Sequence, residues 1–275
     1  QGDHLEVRDA LAKKGVGLGF MHYGVEIPAA KGGPEFQKWI GGYYEDRYSV
    51  NPMWSPEYQK FPDHPIARGV KPFSNKDEWY FNIRWNEAEK GRVTPILTAT
   101  PSDAVRKGPY VFPAGPYPHI VEASGRTETL MWAFDRPNGG RGFGFTGGHT
   151  HANWGNDSQR KVVLNAILWA AKMEVPANGV ESTVTPEQLA ANQDPKGANR
   201  PRPAAAAPPT RPTPAVPNSS STAPPMPART SPTPVPPRPA ALIPGSLARI
   251  SFSGWAITAI TAATRASSAR WSAIF

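Results

Sequence analysis

The 275-residue chain contains no cysteine. This absence excludes disulfide bonds, thiolate nucleophiles and cysteine-ligated zinc or iron–sulfur sites. It does not fix the cellular compartment, because chains without cysteine occur on both sides of a membrane. The chain begins at Gln1 rather than at Met. If a missing start carried a signal peptide, the protein would be periplasmic or secreted.

Acidic side chains are absent from one end of the sequence. Residues 196–275 contain nine Lys and Arg and no Asp or Glu, whereas residues 1–195 contain 21 Lys and Arg against 22 Asp and Glu. The net charge of +8 is therefore a property of the C-terminal end. The remainder of the chain lacks the basic character typical of nucleic-acid binding, so no nucleic-acid partner is predicted.

Residues 183–275 are predicted to form a disordered tail rich in Pro, Ala and Arg. Seventeen of the 33 prolines lie between Pro195 and Pro244, and such a segment buries too little apolar surface to offset its chain entropy. Ile250–Phe275 is more apolar, but arginines interrupt it and no run reaches the roughly 20 apolar residues of a membrane span. A weak interfacial helix is one alternative. A shifted reading frame of GC-rich coding sequence is another, so the tail is assigned no function.

Hydrophobic periodicity before the tail predicts alternating helices and strands, which is typical of an α/β fold. The predicted helices cover residues 5–12, 34–42 and 159–172. The predicted strands cover residues 15–22, the alternating residues Phe81, Ile83 and Trp85 within 73–85, and residues 93–99, 130–134 and 141–146. A hairpin turn is predicted at residues 135–139, between the last two strands. Residues 43–58 and 100–118, rich in aromatics and in proline respectively, are predicted to be loops.

One glycine-rich stretch, Gly139–Trp154, is the strongest indication of a functional site. Phe143 and Phe145 alternate with glycines, which predicts a strand that other backbone approaches closely. Gly147 and Gly148 then allow a positive φ or a tight reversal. His149 and His151 stand two residues apart, so both side chains would leave the same face of an extended segment.

The glycines of residues 15–19 do not form a nucleotide site. They lie within the predicted strand and not after it at the start of a helix, where a phosphate cradle would form. The stretch Gly139–Gly148 also lacks the Lys-Ser/Thr pair of a P-loop. Nucleotide binding is therefore not predicted.

Five motifs in order resemble the ThuA-like (trehalose utilisation) family. They are Gly-Val-Gly-Leu-Gly-Phe-Met-His-Tyr-Gly-Val-Glu at 15–26, Trp-Ile-Gly-Gly-Tyr-Tyr-Glu at 39–45, Asp-His-Pro-Ile at 63–66, Asp-Glu-Trp-Tyr at 77–80 and Gly-Arg-Gly-Phe-Gly-Phe-Thr-Gly-Gly-His at 140–149. The resemblance covers about residues 5–182. It implies the flavodoxin-like, parallel-sheet α/β sandwich of the class I glutamine amidotransferase-like superfamily.

The resemblance implies that the chain begins part-way through that fold. Residues 1–182 would be the later two-thirds of a ThuA-like domain, truncated at the N-terminus and lacking the opening strands of the sheet. In the superfamily, the strand that ends near His22 would present the nucleophile. Met21-His22-Tyr23 occupies that position and the chain has no thiol, so glutamine hydrolysis through a thioester is excluded.

The resemblance implies three catalytic residues: His22, His149 and Glu78. His22 would act as a metal ligand or a general base, the alternative being a strand-end histidine bonded to backbone. Glu78 follows Asp77, and neighbouring residues on a strand point to opposite faces, so at most one of the two carboxylates would serve the site. Histidine is the side-chain type that ordinarily titrates near neutrality, as acid–base chemistry requires.

Further residues are predicted to bind substrate or metal. Aromatic rings that could stack on a sugar are Tyr23, Tyr44, Trp54, Tyr80 and Trp154, although each could instead belong to the core. Glu26 could reach the same cleft or be a solvated loop carboxylate, and His151 could face the pocket or cap its loop. Two histidines and a carboxylate would suit zinc or manganese. The metal-ligand candidates are His22, His149 and His151.

The sequence thus predicts a carbohydrate-processing enzyme that resembles ThuA-like proteins. It would act on a sugar or keto-sugar by acid–base chemistry, as an isomerase or a hydrolase-type enzyme. The alternative is a non-catalytic sugar-binding or scaffold module with the same fold. In either case the partner would be a small carbohydrate, with no membrane-spanning segment.

Overall fold

A four-stranded sheet organises the part of the chain that the computed structural model describes, residues 4–191. The strands in chain order are β1 (Leu18–Met21), β2 (Gly42–Tyr43), β3 (Met53–Trp54), β4 (Glu57–Tyr58), β5 (Phe73–Ser74), β6 (Asp77–Glu78), β7 (Arg84–Trp85), β8 (Val93–Ala99), β9 (Glu128–Asp135) and β10 (Arg141–Phe145). The helices are α1 (Leu5–Lys13), α2 (Ala29–Ile40), α3 (Asp103–Lys107), α4 (Pro118–Val121), α5 (Asp157–Ala170) and α6 (Pro186–Ala190).

The main sheet is mixed. Its spatial order is β1-β10-β9-β8, in which β1 and β10 run parallel and the other neighbours run antiparallel. Antiparallel pairing of β9 with β10 follows from their short connection, because a parallel crossover needs a dozen or more residues. The predicted parallel arrangement therefore holds for β1 and β10, and it is wrong for the rest of this sheet. The remaining strands form three separate two-stranded ladders.

Helices cover both faces of the sheet, and each face has its own apolar core. On one face, α5 packs on β10 and β1 through Val162, Val163, Ala166 and Trp169. On the other face, Phe36, Trp39 and Ile40 of α2 pack on Leu18 and Phe20 of β1. The strand β1 is buried throughout, as the apolar run at residues 15–22 predicted.

Gly142 of β10 allows α2 to approach the sheet closely. A Cβ on Gly142 would lie 2.2 Å from the carbonyl oxygen of Trp39, and a backbone atom cannot rotate away. Gly142→Ala is therefore expected to lower the free energy of unfolding by about 1–3 kcal/mol, as measured by urea denaturation. Gly91→Ala is the matched control, because no atom lies within 4 Å of its Cβ position. Equal losses in both variants would contradict this packing.

Three predictions about the middle of the chain are wrong, the first of them being the loop at residues 43–58, which contains the two-residue strands β3 and β4. The alternating residues Phe81, Ile83 and Trp85 do not form one strand, because Asn82 adopts a left-handed φ of 58° and breaks the extended backbone. Phe81 consequently enters the core beneath α5, whereas Ile83 enters the core beneath α2. The predicted loop at residues 100–118 contains the short helix α3, whose N-terminal N–H groups are capped by Ser102.

The described residues extend past the predicted boundary at residue 182. Thr185 caps α6 with a reciprocal capping box that includes Gln188. The remainder of the predicted tail, residues 192–275, lies outside the described residues, and so does the suggested interfacial helix. Within residues 4–191, none of the helices has the length and apolar character needed to cross a bilayer.

Candidate functional site

His22 stands where β1 ends, at a sharp turn of the backbone. Met21 is extended, and His22 then takes a left-handed φ of 45°, which costs energy for a residue with a Cβ and is concentrated at functional sites. Its Nδ1 lies 3.1 Å from the carbonyl oxygen of Thr146, directly after β10. Because a carbonyl can only accept, this contact fixes the hydrogen on Nδ1 and leaves Nε2 with its lone pair.

The loop after β10 delivers His149 to the same edge of the sheet. Gly148 has a φ of 106°, as the predicted glycine turn required. The buried carboxylate of Asp77 holds this loop, since it accepts hydrogen bonds from the backbone N–H groups of Gly148 and Thr150, both at 2.9 Å. Parallel strands β1 and β10 end at one edge, so His22 and His149 meet there.

Glu78 reaches the site from β6, which pairs with β3 so that Glu78 lies opposite Met53. Because successive side chains on a strand point to opposite faces, Asp77 binds the loop after β10 and Glu78 faces the histidines. Asn51, just before β3, donates through Nδ2 to Oε1 of Glu78 at 2.7 Å. The Oε2 atom of Glu78 is thereby directed toward the imidazoles.

The three predicted catalytic side chains converge on one point. The Nδ1 of His149 lies 2.7 Å from Oε2 of Glu78 and 3.2 Å from Nε2 of His22. The Nε2 of His22 lies 3.6 Å from the same carboxylate oxygen. Glu78 and His22 have only 5% and 8% of their side chains exposed, whereas His149 has 44% exposed. A ligand would therefore approach from the side of His149.

Burial sets the electrostatics of this cluster. Desolvation lowers the pKa of His22, against an opposing effect of its hydrogen bond to Thr146, so burial favours the neutral imidazole. Desolvation also raises the pKa of Glu78, although the charge of His149 and the hydrogen bond from Asn51 act in the opposite direction. The carboxylate thus depends on these partners to stay ionised.

Hydroxyl groups and a second carboxylate line the neighbouring wall. The hydroxyl of Tyr80 lies 3.2 Å from Nε2 of His22, and the two rings are 4.7 Å apart. The ring of Tyr44 lies 4.9 Å from that of Tyr80. Glu26 is half-buried, and its pKa is raised first by burial and then by the charges of Asp46 and Glu78. The predicted residues Glu26, Tyr44 and Tyr80 thus belong to the surroundings of the cluster.

Two of the predicted substrate-binding aromatics lie beside the histidines. Trp154 is half-buried, and both its Cζ2 and the Cβ of His22 lie within 4 Å of the Cβ position of Gly148. Tyr23 directly follows His22 and is 57% exposed. The ring of Trp154 can therefore contact a molecule bound at the cluster, and the ring of Tyr23 is exposed at the neighbouring position in the chain.

Two other predicted site residues do not join the cluster. Trp54 is buried in the core beneath α5, where its indole N–H donates to the carbonyl of Trp79, so its ring offers no platform to a sugar. His151 begins a 3-10 helix instead of continuing an extended segment. Its Nε2 contacts the carbonyl of Leu189 in α6 at 2.8 Å, so His151 and His149 do not share a face.

Sequence reasoning missed the residues that orient the cluster. Asn51 lies in an aromatic segment without periodicity, and nothing in its pattern indicates a contact with Glu78. The sequence indicates Asp77 only as an alternative to Glu78, although its position in the Asp-Glu pair indicates that the two side chains diverge.

Within the described residues, the group of side chains able to hold a metal ion is His22, Glu78 and His149, whose ligand atoms lie within 4.8 Å of one another.

These features define a mixed α/β protein with a histidine–carboxylate site at the carboxyl edge of its parallel strands. The model of the ThuA family, described as trehalose utilisation, matches residues 5–170. The chain therefore belongs to the ThuA family, and this membership implies a carbohydrate-related role. No curated protein and no solved structure was found to match the chain.

Proposed function

We propose that the protein is a carbohydrate-processing enzyme that performs acid–base chemistry on a sugar or keto-sugar at His22, Glu78 and His149. The observation that carries this proposal is the 2.7 Å contact between Oε2 of Glu78 and Nδ1 of His149, which also lies 3.2 Å from His22. ThuA family membership supports the substrate class. The half-exposed position of His149 supports its direct contact with substrate.

The proposed mechanism gives each residue a separate task. Glu78 accepts a hydrogen bond from Nδ1 of His149, which orients the imidazole and makes Nε2 the nitrogen that exchanges protons with a sugar hydroxyl or carbonyl. His22, neutral and held by Thr146, accepts at Nε2 from His149 or from the hydroxyl of Tyr80. Trp154 and Tyr23 would contact the sugar ring, and Glu26 would bind its hydroxyl groups.

Two reaction types fit this arrangement. An isomerase would move a proton between carbons next to a carbonyl, and a hydrolase-type enzyme would donate a proton to a leaving oxygen. Glutamine hydrolysis through a thioester is excluded, because the chain contains no cysteine.

We also propose that the domain has the flavodoxin-like arrangement of the class I glutamine amidotransferase-like superfamily. Support comes from the helices on both faces of the sheet and from the site at the ends of two parallel strands. An experimental structure in which β1 does not pair in parallel with β10, or in which helices cover only one face of the sheet, would contradict this assignment.

The test is a panel of disaccharides, monosaccharides and their keto derivatives, offered to the full chain. We expect a sugar that quenches tryptophan fluorescence and is converted to a product detectable by chromatography. Quenching without product in any buffer or metal would favour the non-catalytic binding module. If no sugar quenches the fluorescence and no product forms, both the enzyme and the binding-module functions are contradicted.

Trp154→Ala is expected to weaken binding of that sugar by about tenfold, because a stacked aromatic contact contributes on the order of 1 kcal/mol. The affinity is measured by calorimetric titration. Trp54→Phe is the control, since the Trp54 ring is buried and its indole N–H donates to the carbonyl of Trp79, so its replacement should leave the dissociation constant unchanged. Equal affinities of wild type and Trp154→Ala would remove Trp154 from the binding site.

A further inference from the structure

We infer that His22, Glu78 and His149 bind one divalent transition-metal ion through Nε2, Oε2 and Nδ1 respectively. The inference concerns the same site as the proposed function, but it rests on the arrangement of the donor atoms and not on the proposed reaction. Two histidines and one carboxylate form a donor set that zinc uses in catalytic sites, with a further position left for water or substrate.

The three donor atoms are close enough together to coordinate one ion at the same time. The three distances are 2.7, 3.2 and 3.6 Å, and the circle through three atoms so separated has a radius of about 1.9 Å. Zinc–nitrogen and zinc–oxygen bonds of about 2.0–2.2 Å would therefore place the ion about 1 Å out of the plane of the three atoms. All three ligands would then lie on one side of the ion, which leaves its opposite side open to water or substrate.

Two of the three donor atoms, Nε2 of His22 and Oε2 of Glu78, are also oriented as metal ligands are. The Nδ1 of His22 is bonded to the carbonyl of Thr146, which directs the lone pair of Nε2 into the cluster. Oε1 of Glu78 accepts from Asn51, which leaves Oε2 for the ion. Such outer partners fix the tautomer and the orientation of metal ligands in proteins. Here they come from elements outside the three ligands, so the site is formed before an ion binds.

Neighbouring candidates are accounted for by other contacts. The two carboxylate oxygens of Asp77 accept hydrogen bonds from Glu78, Thr150, Gly148 and Asn153. His151, predicted as a metal-ligand candidate, contacts Leu189 instead. The inferred ligand set therefore contains three residues, and it differs from the predicted set by the exchange of His151 for Glu78.

An ion at this position would extend the proposed chemistry. When bound, it supplies a Lewis acid that polarises a sugar carbonyl or hydroxyl oxygen. The ion and protons compete for the same three atoms, so binding releases protons from the site. With the ion bound, polarisation of the substrate by the ion would replace the proton exchange that the proposed function assigns to His149.

The experiment measures zinc on the full chain. The protein is stripped with a chelator, dialysed against zinc, desalted and assayed for zinc per chain by mass spectrometry, with calorimetry for affinity and a parallel arm with manganese. We expect one ion per chain in wild type. His22→Ala and Glu78→Gln should each weaken binding by at least about 100-fold, and Asn51→Ala by about 10-fold because it acts through Glu78.

His151→Ala is the matched control, since it removes a histidine two residues from His149 that contacts Leu189 instead. It should bind zinc as wild type does. Circular dichroism and melting temperature show whether each variant is folded, and the isosteric Glu78→Gln serves if His22→Ala does not fold. Substitution with cobalt gives a second readout, because a four-coordinate cobalt site has an intense visible spectrum that Glu78→Gln should abolish.

The inference is overturned if wild type retains neither zinc nor manganese, or if Glu78→Gln binds as tightly as wild type. It is also overturned if His151→Ala loses the ion. These outcomes are separable from failure of the proposed function. Turnover of a sugar in excess chelator would contradict the metal inference and support the proposed enzyme function. Stoichiometric zinc without any sugar product would support the metal inference and contradict the enzyme function.

Discussion

His149→Ala is expected to lower turnover of the sugar substrate by about 100-fold to 10,000-fold, the contribution of a positioned acid–base group. The side chain lies at the open side of the cluster, with 44% of its surface exposed and Nδ1 bonded to Glu78. Of the three cluster side chains, His149 is the one exposed enough to contact a substrate directly, and the substitution removes its imidazole. The measurement is kcat on the sugar that the panel identifies.

The exposed position of His149 predicts that the fold survives the substitution. The circular dichroism spectrum should match that of wild type, and the melting temperature should fall only slightly. His151→Ala is the control on the same loop, and it should retain turnover because His151 contacts α6 instead of the cluster. Parallel loss of fold and activity in His149→Ala would contradict a catalytic role.

Asp77→Ala is expected to have the largest effect on stability, a loss of about 3–5 kcal/mol in the free energy of unfolding. The carboxylate is fully buried and accepts from the backbone of Glu78, Gly148 and Thr150 at 2.9 Å and from the side chain of Asn153 at 3.1 Å. Its removal leaves several donors without an acceptor, and each unpaired buried group costs about 1–3 kcal/mol.

This prediction is measured as a fall in melting temperature of about 10 °C, given the usual entropy of unfolding for a domain of this size. Asp77→Asn should cause a smaller loss, because it keeps the shape and one acceptor oxygen. Asp63→Ala, at an exposed turn, is the control and should change stability by less than about 0.5 kcal/mol. A loss in Asp77→Ala no greater than that of the control would mean that the carboxylate does not hold the loop.

The elements of the sheet and its helices could be predicted because their signals are local. The apolar run before His22 is confirmed as β1, and the turn between residues 135 and 141 is confirmed as the hairpin of β9 and β10. The prediction of a helix at 159–172 is confirmed as α5, which begins two residues earlier at a cap provided by Asn156. In each case side-chain periodicity and turn residues act within the same element.

The segment around Asp77 could not be predicted in detail, because long-range contacts determine its path. Alternation at Phe81 and Ile83 is typical of a strand, but the left-handed Asn82 sends these two rings into different cores. No periodicity in the sequence reports such a break. Of the two alternatives for His151, the shared pocket assumed an extended backbone, whereas a 3-10 helix begins at this residue and its ring contacts Leu189 instead.

The meeting of His22, His149 and Glu78 was expected only from the family resemblance. These residues are separated by up to 127 positions, and the structure joins them through the parallel pairing of β1 with β10 and the ladder of β3 with β6. The contact of Asn51 with Glu78 depends on that second ladder, which consists of two-residue strands with no sequence signal. Such positioning residues emerge only from the assembled fold.

The most direct test of the account is a double-mutant cycle of Glu78→Gln and His149→Ala on kcat. If the carboxylate acts through the imidazole, the double variant should be no slower than the worse of the two single variants, a coupling of at least about 1 kcal/mol. If the two losses instead multiply, the residues act independently, and the claim that they form one catalytic unit is contradicted.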